Sequence, residues 1–274
     1  MMTARDTADA ATPAHPAYAQ LRPVTPTAAV VLARNPGRMT LDGTNTWILR
    51  APGTRECVVV DPGPRDREHL RIVAEQGPVA LTLISHRHPD HTAGLKRFVK
   101  ATGSPARAFA GQFLHGQFDG HDVEPLVDGE VIEAAGLRIG VLRTPGHTAD
   151  SASFVLDDAV LTGDTILGRG TTVIDSRDGT LADYLDSLRR LVDLGVGRRL
   201  LPAHGPDQPD TADVARAYLA HREERLDQVR AALITLGPDA KPMQVVRHVY
   251  ADVDKKLWPA ARSSVKAQLD YLRR

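Results

Sequence analysis

Short β-branched runs come first along the chain: Ala29–Ala33, Thr46–Arg50 and Cys57–Val60. Asn35-Pro36-Gly37, Asp42-Gly43 and Pro52-Gly53 separate them, residue types whose backbone preferences suit turns, so the pattern predicts meandering strands. Asp66–Gln76 then has a helical pattern with Leu70, Ile72 and Val73 apolar, and the continuous run Val79–Ile84 reads as a buried strand. A further helix is expected from about Thr92, carrying Leu95, Phe98 and Val99 on one face. Strands follow at Leu137–Arg143, Ser153–Leu156 and Ala159–Leu161, then a loop over Gly168–Asp178, an amphipathic helix over Leu181–Leu194 and a last strand at Arg198–Leu201. From there the pattern is purely helical, through Thr211–Leu236, Met243–Tyr250 and Pro259–Leu272. This order predicts an α/β chain: two sheets sandwiched between helices over residues 21–210, then a small helical domain over 211–274. The Ala/Thr/Pro-rich opening, residues 1–20, reads as a flexible tail.

Composition agrees with a globular chain and narrows its setting. With 274 residues, 42% apolar and 25% charged, there is enough material for one large core and an appendage. Formal charge is zero, so no global field steers the protein to nucleic acid or to an anionic membrane. The balance is uneven, however: residues 213–274 carry 12 Lys/Arg against 8 Asp/Glu, a net +4 on a body of net −4. Such a tail is either a solvated helical surface or a nucleic-acid contact. The single cysteine, Cys57, sits in an apolar strand pattern and cannot form an internal disulfide, so a reducing cytoplasmic location is expected. No stretch approaches the roughly 20 apolar residues of a membrane span, and the opening lacks an apolar signal core; no membrane association is expected.

The chemistry concentrates in Ser85-His86-Arg87-His88-Pro89-Asp90-His91, an HxHxDH pattern between a predicted strand and a predicted helix start. In extended backbone, residues i and i+2 point the same way, so His86 and His88 can reach one ion together, while Asp90 and His91, past the bend, can face a second. A surface histidine run that binds metal adventitiously is the bland alternative. Three later segments weigh against it, each placing one ligand-type residue just after a predicted strand: Pro145-Gly146-His147, Thr162-Gly163-Asp164 and Pro202-Ala203-His204-Gly205.

In this order of motifs the sequence resembles the metallo-β-lactamase superfamily. The resemblance implies an αββα sandwich with one ion on His86, His88 and His147, a second on Asp90, His91 and His204, and Asp164 bridging both. It also marks Asp90 and His204 as residues that serve catalysis. Ala203 stands where the family usually has glycine, a departure expected to shift that turn. Imidazole and carboxylate donors suit zinc at roughly 2.0–2.2 Å, so two Zn2+ are expected, with iron or manganese also compatible with a site lacking thiolate. Two such ions about 3.5–4 Å apart can share a hydroxide as the attacking group.

Beyond the ligands, Asn35–Thr46, Ile166–Thr172 and His221-Arg222-Glu223-Glu224-Arg225 resemble the β-lactamase-like endoribonucleases, and the C-terminal part resembles their winged-helix domain. This implies cleavage of single-stranded RNA, with Asn45, Thr171 and Thr172 as substrate contacts. Each segment also has a plainer reading: turn chemistry for Asn35–Thr46, a strand lead-in for Thr171 and Thr172, and a solvated charged helix face for His221. His15, His69, His115, His121 and His248 lack motif context and receive no role. The chain ends at Arg274, directly after the third expected helix, so a complete wing is not expected. Two other functions remain open at this point. A thioester hydrolase resembling hydroxyacylglutathione hydrolase, acting on a small anionic substrate, uses the same ligand types. A non-enzymatic nucleic-acid-binding module is the other, although it gives no reason to keep all seven ligands in register.

Overall fold

The computed structural model describes residues 15–109, 123–174, 178–252 and 254–273. One sheet holds, side by side in chain order, β1 (Leu21–Pro23), β2 (Ala28–Leu32), β3 (Asn45–Leu49), β4 (Cys57–Val60), β5 (Val79–Leu83), β6 (Ala106–Ala108) and β7 (Val123–Pro125). It is antiparallel from β1 to β4 and parallel from β4 to β7. The other sheet contains β8 (Val131–Ala134), β9 (Leu137–Arg143), β10 (Ala152–Val155), β11 (Ala159–Gly163) and β12 (Arg199–Pro202), in the order β12-β11-β10-β9-β8.

Helices supply the crossovers that parallel neighbours require. α1 (Arg67–Ala74) joins β4 to β5; α2 (Pro89–Thr92) and α3 (Leu95–Thr102) lie between β5 and β6; α4 (Leu181–Leu194) joins β11 to β12. Their starts follow from local chemistry. The Asp66 carboxylate accepts from the amides of Glu68 and His69 at the head of α1, and the Thr180 hydroxyl from that of Asp183 at the head of α4.

Period-two alternation assigns each strand two apolar faces. Val30, Trp47, Leu49, Val58, Val60 and Leu83 point between the sheets, where they meet Ile139, Val141, Phe154, Leu161 and Leu201. Their neighbours Val31, Ile48, Cys57 and Val59 point outward, against Leu70, Val73 and Phe98 of α1 and α3. The second sheet turns Leu142, Val160 and Leu200 outward against Leu181, Tyr184, Leu185 and Leu188 of α4. The result is the expected αββα sandwich, with Cys57 buried as expected.

Three helices follow: α5 (Thr211–Leu236), α6 (Pro242–Val249) and α7 (Trp258–Leu272), with a 3₁₀ turn at Lys255–Leu257. α5 begins directly after the division expected at residue 210 yet packs on both sides of it: its Ala215, Tyr218 and Leu226 share a core with α4, while its Val229 and Ala232 share another with Val245, Val246, Val265 and Leu269. No strand follows β12 among the described residues. Part of the opening expected to be a tail is built into the fold, because Tyr18 is buried and its hydroxyl donates to the carbonyl of Asp42 (2.7 Å). Among the described residues no helix is long and apolar enough to cross a membrane. His115 and His121 lie outside the described residues.

Candidate metal centre

All seven expected ligands converge where segments leave β5, β9, β11 and β12 at one edge of the sandwich. Pro89 starts α2 at its first turn, where a missing N–H costs nothing, and the chain bends there. His86 and His88 therefore stay on one side while Asp90 and His91 swing to the other. Two glycines let the other ligands approach. A Cβ on Gly146, which has φ +137°, would stand 2.4 Å from Cα of Tyr184; one on Gly163, at φ +52°, would stand 2.8 Å from Cβ of Ser85. Only glycine fits at both, immediately before His147 and Asp164. Ala203 needs no such freedom, since it is absent from the residues with positive φ, and it binds Gly163 O through its N–H (3.1 Å) and Asn45 N–H through its carbonyl (2.7 Å). Alanine therefore fits in the backbone of this turn.

The donor atoms form two adjoining groups. His86 Nε2 and His147 Nε2 lie 3.0 and 3.1 Å from His88 Nδ1, and Asp164 Oδ2 is 3.9 and 3.6 Å from His86 Nε2 and His147 Nε2. On the other side, Asp90 Oδ2 stands 3.4 Å from His91 Nε2 and 3.1 Å from His204 Nε2, and Asp164 Oδ1 is 3.6 and 3.3 Å from the same two nitrogens. The two oxygens of Asp164 thus face different groups, an arrangement that suits a bridging ligand. Tetrahedral ligands at roughly 2.0–2.1 Å from one zinc ion stand about 3.3 Å apart, close to these separations.

Hydrogen bonding on the far side of the rings supports the same reading. His91 Nδ1 donates to Asp61 Oδ2 (2.8 Å), His147 Nδ1 to Val173 O (2.6 Å) and His204 Nδ1 to Gly43 O (3.0 Å), which turns each Nε2 inward. Inside the cluster, His91 Nε2, His204 Nε2 and Asp164 Oδ1 are buried without a hydrogen bond among the described residues. Buried polar atoms are rarely left so, and a cation satisfies all three at once. His88 and Asp90 are the least buried of the seven and give the centre its contact with solvent.

The electrostatics describe a site built for positive charge. Burial pushes the Asp164 carboxyl up, yet His204, His91 and His86 bring it far below the carboxylate range; Asp90 is lowered against burial by His91 and His204. Burial lowers His91 and His204 too, but the carboxylates outweigh it, raising His91 well above the ordinary histidine value and His204 to about 9. His86, shielded by burial and next to His91, is held well below it. Without metal, protons on His91 and His204 stand in for the cation.

The residues expected to touch substrate are placed differently from one another. Asn45 is buried, and its amide donates to the carbonyls of Pro202 (3.0 Å) and Gly205 (2.9 Å), on either side of His204. Thr172 is buried and its hydroxyl donates to Asp164 O (2.8 Å), whereas Thr171 is exposed on the same loop. Asn45 and Thr172 therefore hold ligand-bearing backbone. Asp61 went unnoticed in the sequence. Its one signal is position: an acidic residue directly after β4, in Asp61-Pro62-Gly63, with φ +53°.

The fold and the site together define a metallo-hydrolase architecture, and comparison with known proteins gives its family. Residues 39–204 match the Metallo-beta-lactamase superfamily, and the chain belongs to it. Residues 242–274 match the Beta-lactamase associated winged helix domain. Among relatives, the chain is 30% identical over 262 residues to "Beta-lactamase-like protein 2 homolog" of Drosophila melanogaster, covering 88% of this chain and 86% of that one. It is 34% identical over 228 residues to "Atrochrysone carboxyl ACP thioesterase" of Aspergillus chevalieri, covering 80% and 69%. A crystal structure of a beta-lactamase domain protein from Burkholderia ambifaria superposes with a TM-score of 0.79 at 19% identity, over 95% of this chain and 90% of that one, and shares the fold.

Proposed function

We propose that this protein is a dinuclear metal-dependent hydrolase that cleaves phosphodiester bonds in single-stranded RNA, with zinc as the resident metal. The observation that supports the choice of substrate is the contact between the C-terminal segment and the loop that backs His204. Arg38, on the loop that backs His204, reaches the carbonyl of Lys256 (3.5 Å), so Arg38, Lys255 and Lys256 form an exposed basic rim at that wall. Two divalent ions against the carboxylates of Asp90 and Asp164 leave the centre net positive, and together with the basic rim this favours an anionic backbone. Unpaired RNA suits such a groove because its bases splay at little cost.

Metal ions held by these residues would supply Lewis acidity and a water of lowered pKa. The chain itself does the positioning. Asp61, Val173 O and Gly43 O fix the ring planes of His91, His147 and His204. Asp90, with its Oδ2 3.1 Å from His204 Nε2, stays ionised beside His91 and His204 and would hold the second ion with them on the least buried side of the centre. A second reading, hydrolysis of a thioester, is favoured by the relative named as a thioesterase, since the same donors serve attack on a carbonyl. The deciding experiment offers matched single-stranded and duplex RNA and an acyl-glutathione thioester to wild type and His88→Ala. The proposal expects chelator-sensitive cleavage of single-stranded RNA that His88→Ala loses. Thioester turnover without His88-dependent RNA cleavage would replace it with the second reading.

A further inference from the structure

The segment His221-Arg222-Glu223-Glu224-Arg225 lies mid-way along α5, and its two arginines face different parts of the molecule. Arg222 is only 5% exposed; its Nη2 donates to the carbonyl of Thr172, and its guanidinium lies 4.9 Å from the centroid of the Tyr184 ring. The Tyr184 hydroxyl donates to Thr165 O (2.7 Å), and one turn before Arg222 the Tyr218 hydroxyl donates to Gly170 O (2.9 Å). The loop held in this way begins at Asp164, whose carboxylate faces both donor groups, and runs to Val173, whose carbonyl orients His147. Arg225 instead lies over the Tyr250 ring at 5.4 Å, and Val229 and Ala232 pack into the C-terminal helices.

Arg222 is a poor choice for stability alone. A buried guanidinium is expensive to desolvate, and the Nε of this one makes no hydrogen bond among the described residues. What it does hold is the peptide immediately before the Val173 carbonyl. A ligand histidine depends on the acceptor at its other nitrogen for ring orientation and basicity, and losing such support typically lowers metal affinity about 10–100-fold.

We propose that Arg222 is a positioning residue for the metal centre: by fixing the Thr172–Val173 peptide it sets the orientation of His147, and through α5 it links the seating of the C-terminal helices to metal affinity. The inference rests on the metal-centre reading above. Its test titrates the full-length, metal-free protein with Co2+, following both binding steps and the visible cobalt bands, alongside the NMR signal of the His147 Nδ1 proton. Arg222→Gln should weaken one binding step tenfold or more and speed exchange of that proton, with Arg222→Lys intermediate. Arg230→Gln, which removes an exposed arginine paired with Asp227 on the same helix, should match wild type. Folded Arg222→Gln with both cobalt affinities unchanged would overturn the proposal; if that variant does not fold, wild-type affinities in Arg222→Lys would do so. Equal losses in the glutamine and lysine variants that merely track thermal stability would assign Arg222 to packing. Wild type that takes up fewer than two ions would instead refute the metal-centre reading.

Discussion

Asp61 Oδ2 lies 2.8 Å from His91 Nδ1, and the same carboxylate accepts from the amide (2.8 Å) and hydroxyl (2.6 Å) of Ser85, the residue before His86. One side chain thus orients a ligand ring and pins the segment that carries two more ligands. Asp61→Asn keeps the size and the tolerance of left-handed backbone but loses the charge facing His91. It should fold and bind metal about 10–100-fold more weakly, read by competition with a chromogenic chelator. Unchanged affinity would remove Asp61 from the centre.

Metal uptake should depend on pH in a definite direction. In the metal-free protein the neighbouring carboxylates keep His91 protonated and raise His204 to about 9, and a metal ion must displace those protons. Apparent affinity should therefore climb as pH rises toward about 9, and calorimetry in buffers of different ionisation enthalpy should detect proton release at neutral pH. A flat profile across that range would contradict the arrangement of charges.

His69 should make the fold sensitive to acid. It is 3% exposed, with Nε2 2.8 Å from Thr46 Oγ1, and burial lowers its pKa from 6.5 to about 4. Between those values the unfolded chain binds the proton and the folded chain does not. Its contribution is therefore complete above about pH 6.5 and is lost as pH falls toward 4, by about 3 kcal/mol in all. In metal-free protein compared across that interval by denaturant unfolding, His69→Gln should show a shallower loss than wild type.

The basic rim should matter for polymers and not for small substrates. Lys255→Glu with Lys256→Glu should weaken RNA binding and lower the salt dependence of log K by about one per lysine contact, while leaving metal content intact. Retained RNA affinity with an unaltered salt slope would mean that these lysines face only solvent.

Much of this was legible in the chain. The ligand motifs follow strands whose apolar patterns are strong, so His86, His88, Asp90, His91, His147, Asp164 and His204 could be named from order and spacing. β1, β6, β7 and β8 were not read, since runs of three or four residues such as Ala106-Arg107-Ala108 show no clear period. Their pairing comes from neighbouring strands. Asp61 was hidden because Asp-Pro-Gly reads as a turn, and its service to His91 spans 30 residues. The role of α5 was hidden for a similar reason: its apolar positions show that it is a helix, but not that Tyr218 and Arg222 bind the loop behind Asp164.

The most direct measurement is anomalous scattering from crystals of the metal-loaded protein. Two peaks are expected: one within ligand distance of His86, His88 and His147, the other of Asp90, His91 and His204, with Asp164 within reach of both. A single peak, or a pair with Asp164 bound to only one, would contradict this arrangement.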